Sequence, residues 1–424
     1  MIAANKWPVV RLSMLAVDAK GSIAGGPFGS DLVSRDYVAS GVPVIRGCNL
    51  SNHAKFSFDD LVFVTENKAD AHHLNCAHPG DLVFTQRGTL GQIGLLPKNS
   101  PYSRFLISQS QMKMTVDANR ADALYLYNYF RLPSTVAYIE NHALQSGVPH
   151  INLGILKKLQ IICPPLSVQK KIAAIISAYD ELIENNQRRI ALLEKMSEEI
   201  YREWFVRMRF PGHDKLKLVK GVPQGWRLSC LGNVAKFTMG QSPSSEFYNE
   251  VGNGLPFHQG VGTYGERFPR TITYCSEDGR RAHKGDILFS VRAPVGRLNI
   301  ADREMIIGRG LAALRHKKEY NSYLYYLLKT AFANEDIIGN GSIFNSVGKD
   351  ELAKFPIFEP ESSLVERFDA IASKMDEQIT VLIHATECLK SSRDALLPRL
   401  ISGKLFVENL DIQFPPSMEE DDHA

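Results

Sequence analysis

Sixteen residues from Ala77, A-H-P-G-D-L-V-F-T-Q-R-G-T-L-G-Q, return 205 positions later as A-H-K-G-D-I-L-F-S-V-R-A-P-V-G-R from Ala282. Self-similarity over such a distance marks a supersecondary unit made twice, so the chain must fold into two related bodies. Other landmarks recur in the same order. Arg11-Leu12-Ser13-x-Leu15 returns as Arg227-Leu228-Ser229-x-Leu231, and Val42-Pro43 before Gly47 returns as Leu255-Pro256 before Gly260. Asn152, after S-G-V-P-H-I, is matched with Asn345, after N-G-S-I-F. A length of 424 residues agrees with more than one core.

Each copy has two textures. The first is a mixture of short apolar runs with Gly and Pro, such as V-P-V-I-R-G, D-L-V-F-T and D-I-L-F-S, with one compact helical pattern (124–132 and 322–330). It predicts a mixed α/β (α+β) domain. The second lacks Gly and Pro from Val168 to about Trp204, with apolar residues at Ile172, Ile176, Tyr179, Ile183, Ile190, Leu193, Ile200 and Trp204. This 4-3-4 spacing is that of a helix packed lengthwise on another helix. Shifted by 196 positions, the pattern returns at Phe368, Ala372, Met375, Ile379, Leu382, Leu389, Leu396 and Leu400. Asn186, Ser197, Thr386 and Arg393 fill polar places in the two seams. The two helices are expected to bury these stripes on each other. The domain plan is then 1–164, a long helix at 165–208, a second mixed domain at 209–360, a second helix at 361–405, and an acidic, disordered tail at 406–424. Pro164-Pro165 and Glu359-Pro360 mark the entries to the helices.

Charge separates the same segments. Residues 1–164 carry 15 Lys/Arg against 11 Asp/Glu, and residues 207–360 carry 22 against 15. Two basic blocks suit a polyanion. No signal-peptide layout and no run of eighteen apolar residues is present, which points to the cytoplasm. The six cysteines form no C-x-x-C pair, so neither a disulfide framework nor a four-cysteine zinc site is expected. His72, His73, Cys76 and His78 are close in sequence, but no second ligand pair at finger-like spacing follows, and no metal is expected. Gly348-Lys349 is followed by Asp350 and lacks the first glycine of a P-loop. Cys163-Pro164-Pro165-Leu166 lacks the polar and aromatic residues that flank the prolines of a base methyltransferase. The residues describe a binder without catalytic work.

The chain resembles, nearly end to end, the specificity subunit of bacterial and archaeal type I restriction-modification systems. P-P-L-S-V-Q-K-K-I-A-A-I-I-S-A-Y-D-E-L-I-E-N-N-Q-R-R-I-A-L-L-E-K-M (164–196), the duplicated G-D-L-V-F-T-Q-R-G-T-L-G, and L-L-P-R-L-I-S-G-K-L (396–405) carry the likeness. The second helix departs from it, with E-P-E-S-S-L-V-E-R-F where P-P-L-x-x-Q-x-x-I is usual. The resemblance implies two target-recognition domains that each read half of a split DNA sequence, held apart by two antiparallel helices. It implies two methyltransferase subunits docked on that scaffold, with S-adenosylmethionine bound by them and no cofactor in this chain. Motor-nuclease (restriction) subunits can join. Two readers on one face of B-DNA lie about a helical turn, roughly 34–36 Å, apart.

The residues proposed to touch double-stranded DNA follow the repeat. Gln86 and Arg87, with Arg292 and Arg297 in the duplicate, emerge just past a short apolar strand beside glycines. Arg46 and Gln259 each precede the matched glycine, and His150, Asn152, Ser342 and Asn345 are polar groups of matching loops. An alternative role for the arginines is to tie the turn to the neighbouring carboxylate, Asp81 or Asp286. A standalone DNA-binding regulator or scaffold, and a methyltransferase with degenerate motifs, are the competing functions.

Overall fold

A computed structural model describes residues 7–50, 54–144, 148–219, 221–333, 337–338, 342–343 and 346–419. Two compact units emerge, residues 1–185 with 386–424, and residues 186–385. The division runs through the long helices and not at their ends, so each unit contains one mixed domain and its own piece of helix pair.

In the first unit, Leu82–Thr85 is a central strand between Gln111–Met114 and Ile93–Leu95, with Ile23–Gly25 at the outer edge, all antiparallel. All four residues of this strand are buried, because alternate side chains feed two different cores. Leu82 and Phe84 join the helices; Val83 joins Ile45, Phe105 and Ile107 on the other side. A second sheet, Val62–Val64, Val42–Ile45, Phe105–Ile107 and Cys76–Ala77, closes the outer lobe, with its two middle strands parallel. The second unit repeats this plan. Ile287–Ser290 lies between Leu311–His316 and Leu298–Ile300, Leu288 faces one core and Phe289 the other, and Leu255–His258 runs parallel to Met305–Ile307 in the outer sheet. The G-D carboxylates serve the same turn in both copies: Asp81 accepts from the His78 backbone N–H at 3.0 Å and Asp286 from that of His283 at 2.7 Å. The echoed R-L-S segments fall three residues out of register: Arg11 ends its strand and Leu12–Leu15 is a short 3-10 helix, whereas Arg227, Leu228 and Ser229 all lie in a strand and the matching helix begins at Leu231. Val9–Arg11 pairs with Gln160–Ile162, and Arg227–Cys230 with Pro356–Glu359.

The compact helices are Ala123–Phe130 and Asn321–Ala331. The long ones run over Leu166–Tyr201 and Ser362–Ile401, 36 and 40 residues, or about 54 and 60 Å at 1.5 Å per residue. Within the first unit, Ile172 and Ile176 share a core with Leu397, Leu400 and Ile401, and Arg393 donates to Asp180 at 2.6 Å. Within the second, Tyr201 meets Phe368 edge to face, and Ser197 Oγ donates to Met375 Sδ at 3.0 Å. Early residues of one helix meet late residues of the other, so the pair is antiparallel. Of the polar seam residues, Ser197 and Thr386 are buried and Asn186 is half-buried.

The tail differs from the disordered segment expected at 406–424. Val407 is buried in the first core, Met418 packs on it, Pro416–Glu419 is helical, and Lys171 Nζ donates to the carbonyls of Glu408 and Leu410. Apolar residues scattered among the acids supply that anchorage; residues 420–424 lie outside the described ones.

Candidate nucleic-acid interface

The duplicated phrase ends each central strand in a tight loop, and the long-range partner of that loop is the same in both units. In the first, the Gln86 and Arg87 N–H groups both point at the Ser110 carbonyl, Ile151 N donates to the Gln86 carbonyl at 3.0 Å, and Arg87 bridges His150. In the second, Val291 N donates to Gly310 O at 3.0 Å, Val347 N to Val291 O at 2.9 Å, and Arg292 bridges Ser346. Arg87 and Arg292 are therefore equivalent, and both are exposed. Neither ties its turn to the G-D carboxylate. Lys113 Nζ lies 3.4 Å from Asp81, and Arg315 pairs with Asp286. Among the described residues, Arg87 and Arg292 have no side-chain partner and remain available to a ligand.

Arg292 lines a cavity of about 220 Å³ with Gln259, Gly260, Val261, Ala293, Arg309 and Gly310. Two of the residues marked by the repeat thus meet, together with Arg309, which sequence reasoning did not find. Arg309 stands between Gly308 and Gly310 on the turn before Leu311–His316, and only the parallel pairing of Leu255–His258 with Met305–Ile307 carries that turn to Gln259. The lining contains no acid, so two exposed guanidinium groups can face phosphate or a base edge unopposed. Gln259 is also held in place. Ser242 Oγ donates to Gln259 Oε1 at 2.9 Å and accepts from Arg309 N at 3.2 Å. A Cβ on Gly308 would stand 2.7 Å from Gln259 Oε1, so glycine is what allows this approach.

The other sequence-marked residues fare differently. Arg46 holds the place equivalent to Gln259, since Ser108 N donates to Ile45 O as Gly308 N does to His258 O. Its guanidinium donates to the Asp60 carbonyl, and the side chain is half-buried, so it props its own loop. Gln86 is half-buried against Gly25, whose Cβ would come within 3.5 Å of its Oε1. His150 Nδ1 lies 3.2 Å from the Val148 carbonyl, and Arg297 is exposed, with its N–H donating to Ser290 Oγ at 2.8 Å. Asn152 is the cap of the helix Leu153–Lys158: its Oδ1 accepts from Ile155 N at 2.9 Å. This role occupies its acceptor oxygen and leaves the side-chain nitrogen of this exposed residue outside the cap. Its equivalent in the second unit is Gly348, cap of Lys349–Ala353, and not Asn345. Asn345 lies outside the described residues; Ser342 is in the strand Ser342–Ile343, and nothing is described of its side chain.

Among the described residues no group of three or more His, Cys, Asp or Glu could hold a metal ion, and no helix is long and apolar enough to cross a membrane. His73 Nδ1 lies 3.2 Å from the Asp70 carbonyl, and Cys76 is buried against the Ala69 and His72 carbonyls.

Comparison with known proteins agrees with the doubled plan. The chain is 29% identical over 381 residues to the putative type I restriction enzyme MjaX specificity subunit of Methanocaldococcus jannaschii, covering 87% of this chain and 88% of that one. It is 24% identical over 411 residues to the MjaIX specificity subunit of the same organism, covering 92% of each. The fold is similar to the crystal structure of the type I restriction-modification S subunit from M. genitalium, with a TM-score of 0.61 at 17% identity over 94% of this chain and 96% of that one. The sequence profile of the type I restriction modification DNA specificity domain matches twice, at residues 37–195 and 223–377, one match for each copy of the repeat. Since the two matches together take in well over half of the chain, it belongs to the family of type I restriction modification DNA specificity domains.

Proposed function

We propose that this chain is the non-catalytic DNA-reading subunit of a cytoplasmic type I restriction-modification complex, each recognition domain reading one half of a bipartite target. The long helices set the gap between the halves and dock two methyltransferase subunits, which bind S-adenosylmethionine and methylate adenine. Motor-nuclease subunits join the same assembly. One observation carries the reading: an exposed arginine without a partner among the described residues, Arg87 or Arg292, stands at the same turn of each unit. In the second unit Gln259 and Arg309 surround that turn, a set suited to purine edges and phosphate. Salt bridges inside the fold neutralise the neighbouring acids, so the arginine charge faces outward.

Mapping of methylated adenines in cells with and without the gene tests the proposal. Loss of one split motif with a constant gap is expected. Unchanged methylation in the presence of an active, co-expressed methyltransferase partner contradicts it, as does methyl transfer by the purified chain alone.

A further inference from the structure

The two units fasten their outer lobes to the helix pair by different means, and the repeat exposes the difference. Arg267, in the loop after Leu255–His258, is 2% exposed. Its guanidinium pairs with Glu194 of the first long helix at 3.1 Å and with Asp376 of the second, and lies 5.1 Å from the Tyr325 ring centre. Ser322 Oγ donates to the other oxygen of Asp376 at 2.6 Å, and the Tyr326 hydroxyl donates at 3.3 Å to the oxygen that also meets Arg267. Next to it, Phe268 stacks on His384 of the second long helix. Three elements of the unit converge on one buried cation. Such a group is costly to bury unless its partners are fixed, so its geometry is strongly specified.

The equivalent residue in the first unit is Lys55: Leu95 N donates to Lys55 O as Ile300 N does to Arg267 O. The 196-residue helix repeat makes Asp180 the equivalent of Asp376. There the agreement ends. Glu194 is matched by Lys390, and Ser197 by Arg393, which donates to Asp180 at 2.6 Å. Asp180 also has Arg131 within 3.6 Å. The carboxylate of the first unit is already engaged by cations of the helices and their neighbour, a lysine stands where a second acid would be needed, and Lys55 makes no ion pair among the described residues. Phe56, the equivalent of Phe268, turns into the lobe and packs on Phe105.

We propose that Arg267 is a positioning residue that fixes the second recognition domain on its segment of the helix pair, a tie the first domain lacks. Combined with the proposed function, on which this inference rests, Arg267 sharpens the discrimination of gap length from the side of the second half-target. It touches no base and acts through the orientation of the lobe that carries Gln259.

The test uses the full chain in complex with its methyltransferase subunits, and duplexes with the native gap or a gap one base pair longer or shorter. The ratio of methylation kcat/KM on native to altered gaps is the measured quantity. R267M is expected to lower that ratio about tenfold, R267K, which keeps one ion pair, to fall between, and K55M to leave it unchanged. D376N preserves shape and hydrogen bonding with Ser322 while removing the charge, and is expected to act as R267M does; it decides the matter should R267M not fold. Discrimination against base changes within the first half-target stays constant in all of them. A ratio unchanged in folded R267M or D376N, with only a lower melting temperature, overturns the inference and leaves the proposed function standing. A wild-type complex that methylates no bipartite site overturns both.

Discussion

Arg87 and Arg292 hold the same turn in their units, and the carboxylates nearest in sequence are neutralised elsewhere, by Lys113 and Arg315. Their charge is therefore available to DNA. Arg292→Ala or Arg309→Ala is expected to weaken specific binding by about 1–3 kcal/mol if a base edge is lost, or to reduce the salt slope by about 0.9 if a phosphate is lost, without changing the melting temperature. Asn152→Ala is expected to do the reverse: about 1 kcal/mol of stability is lost with the helix cap, and DNA affinity is retained. A titration series with thermal melting separates the two outcomes. The arginines were legible because the repeat put them in register. Arg309 was not, since its neighbourhood depends on a parallel strand pairing that brings together residues about 50 positions apart. The pairing of Asn152 with Asn345 failed for a related reason: similar loop sequences close onto the helix cap with different lengths, which puts Gly348 at the cap.

At the scale of elements, the long helices were legible because a seam of spacing 4-3-4 has few other uses, and the buried Ile172, Ile176, Phe368 and Ile379 sit on it. Phe368→Ala is expected to cost the second unit about 3–5 kcal/mol, read as a lowered denaturation midpoint, because Tyr201, Phe205, Tyr323 and Tyr326 all meet that ring. His316, at the end of the strand Leu311–His316, ties this unit to pH. Burial pushes it down to about 4, and its Nδ1 accepts from the Lys318 N–H, a bond the protonated ring cannot make. The unfolded chain takes up the proton first, near pH 6.5. Stability from this group is complete above that pH and is lost as pH falls toward 4, by about 2 kcal/mol at pH 5. Melting curves from pH 7 to 5 are expected to flatten in His316→Gln relative to the parent. The tail escaped sequence reasoning because its acids outnumber its anchors, yet Val407 reaches the core and Met418 packs against it.

For the whole molecule, duplication is the fact from which the rest follows: one fold made twice, each copy with its own loop set, and two helices that run through both units. What differs between the copies is as informative as what they share. Arg46 braces its own loop where Gln259 is presented to a groove, and Lys55 stands free of ion pairs among the described residues where Arg267 is locked. Each half is expected to read its own sequence independently. The most direct test exchanges residues 211–360 for the corresponding segment of a relative with a different target and maps methylated adenines in cells that carry the hybrid. One half of the bipartite motif is expected to change while the other half is kept. A hybrid that is folded and active, yet changes both halves or neither, would contradict the account.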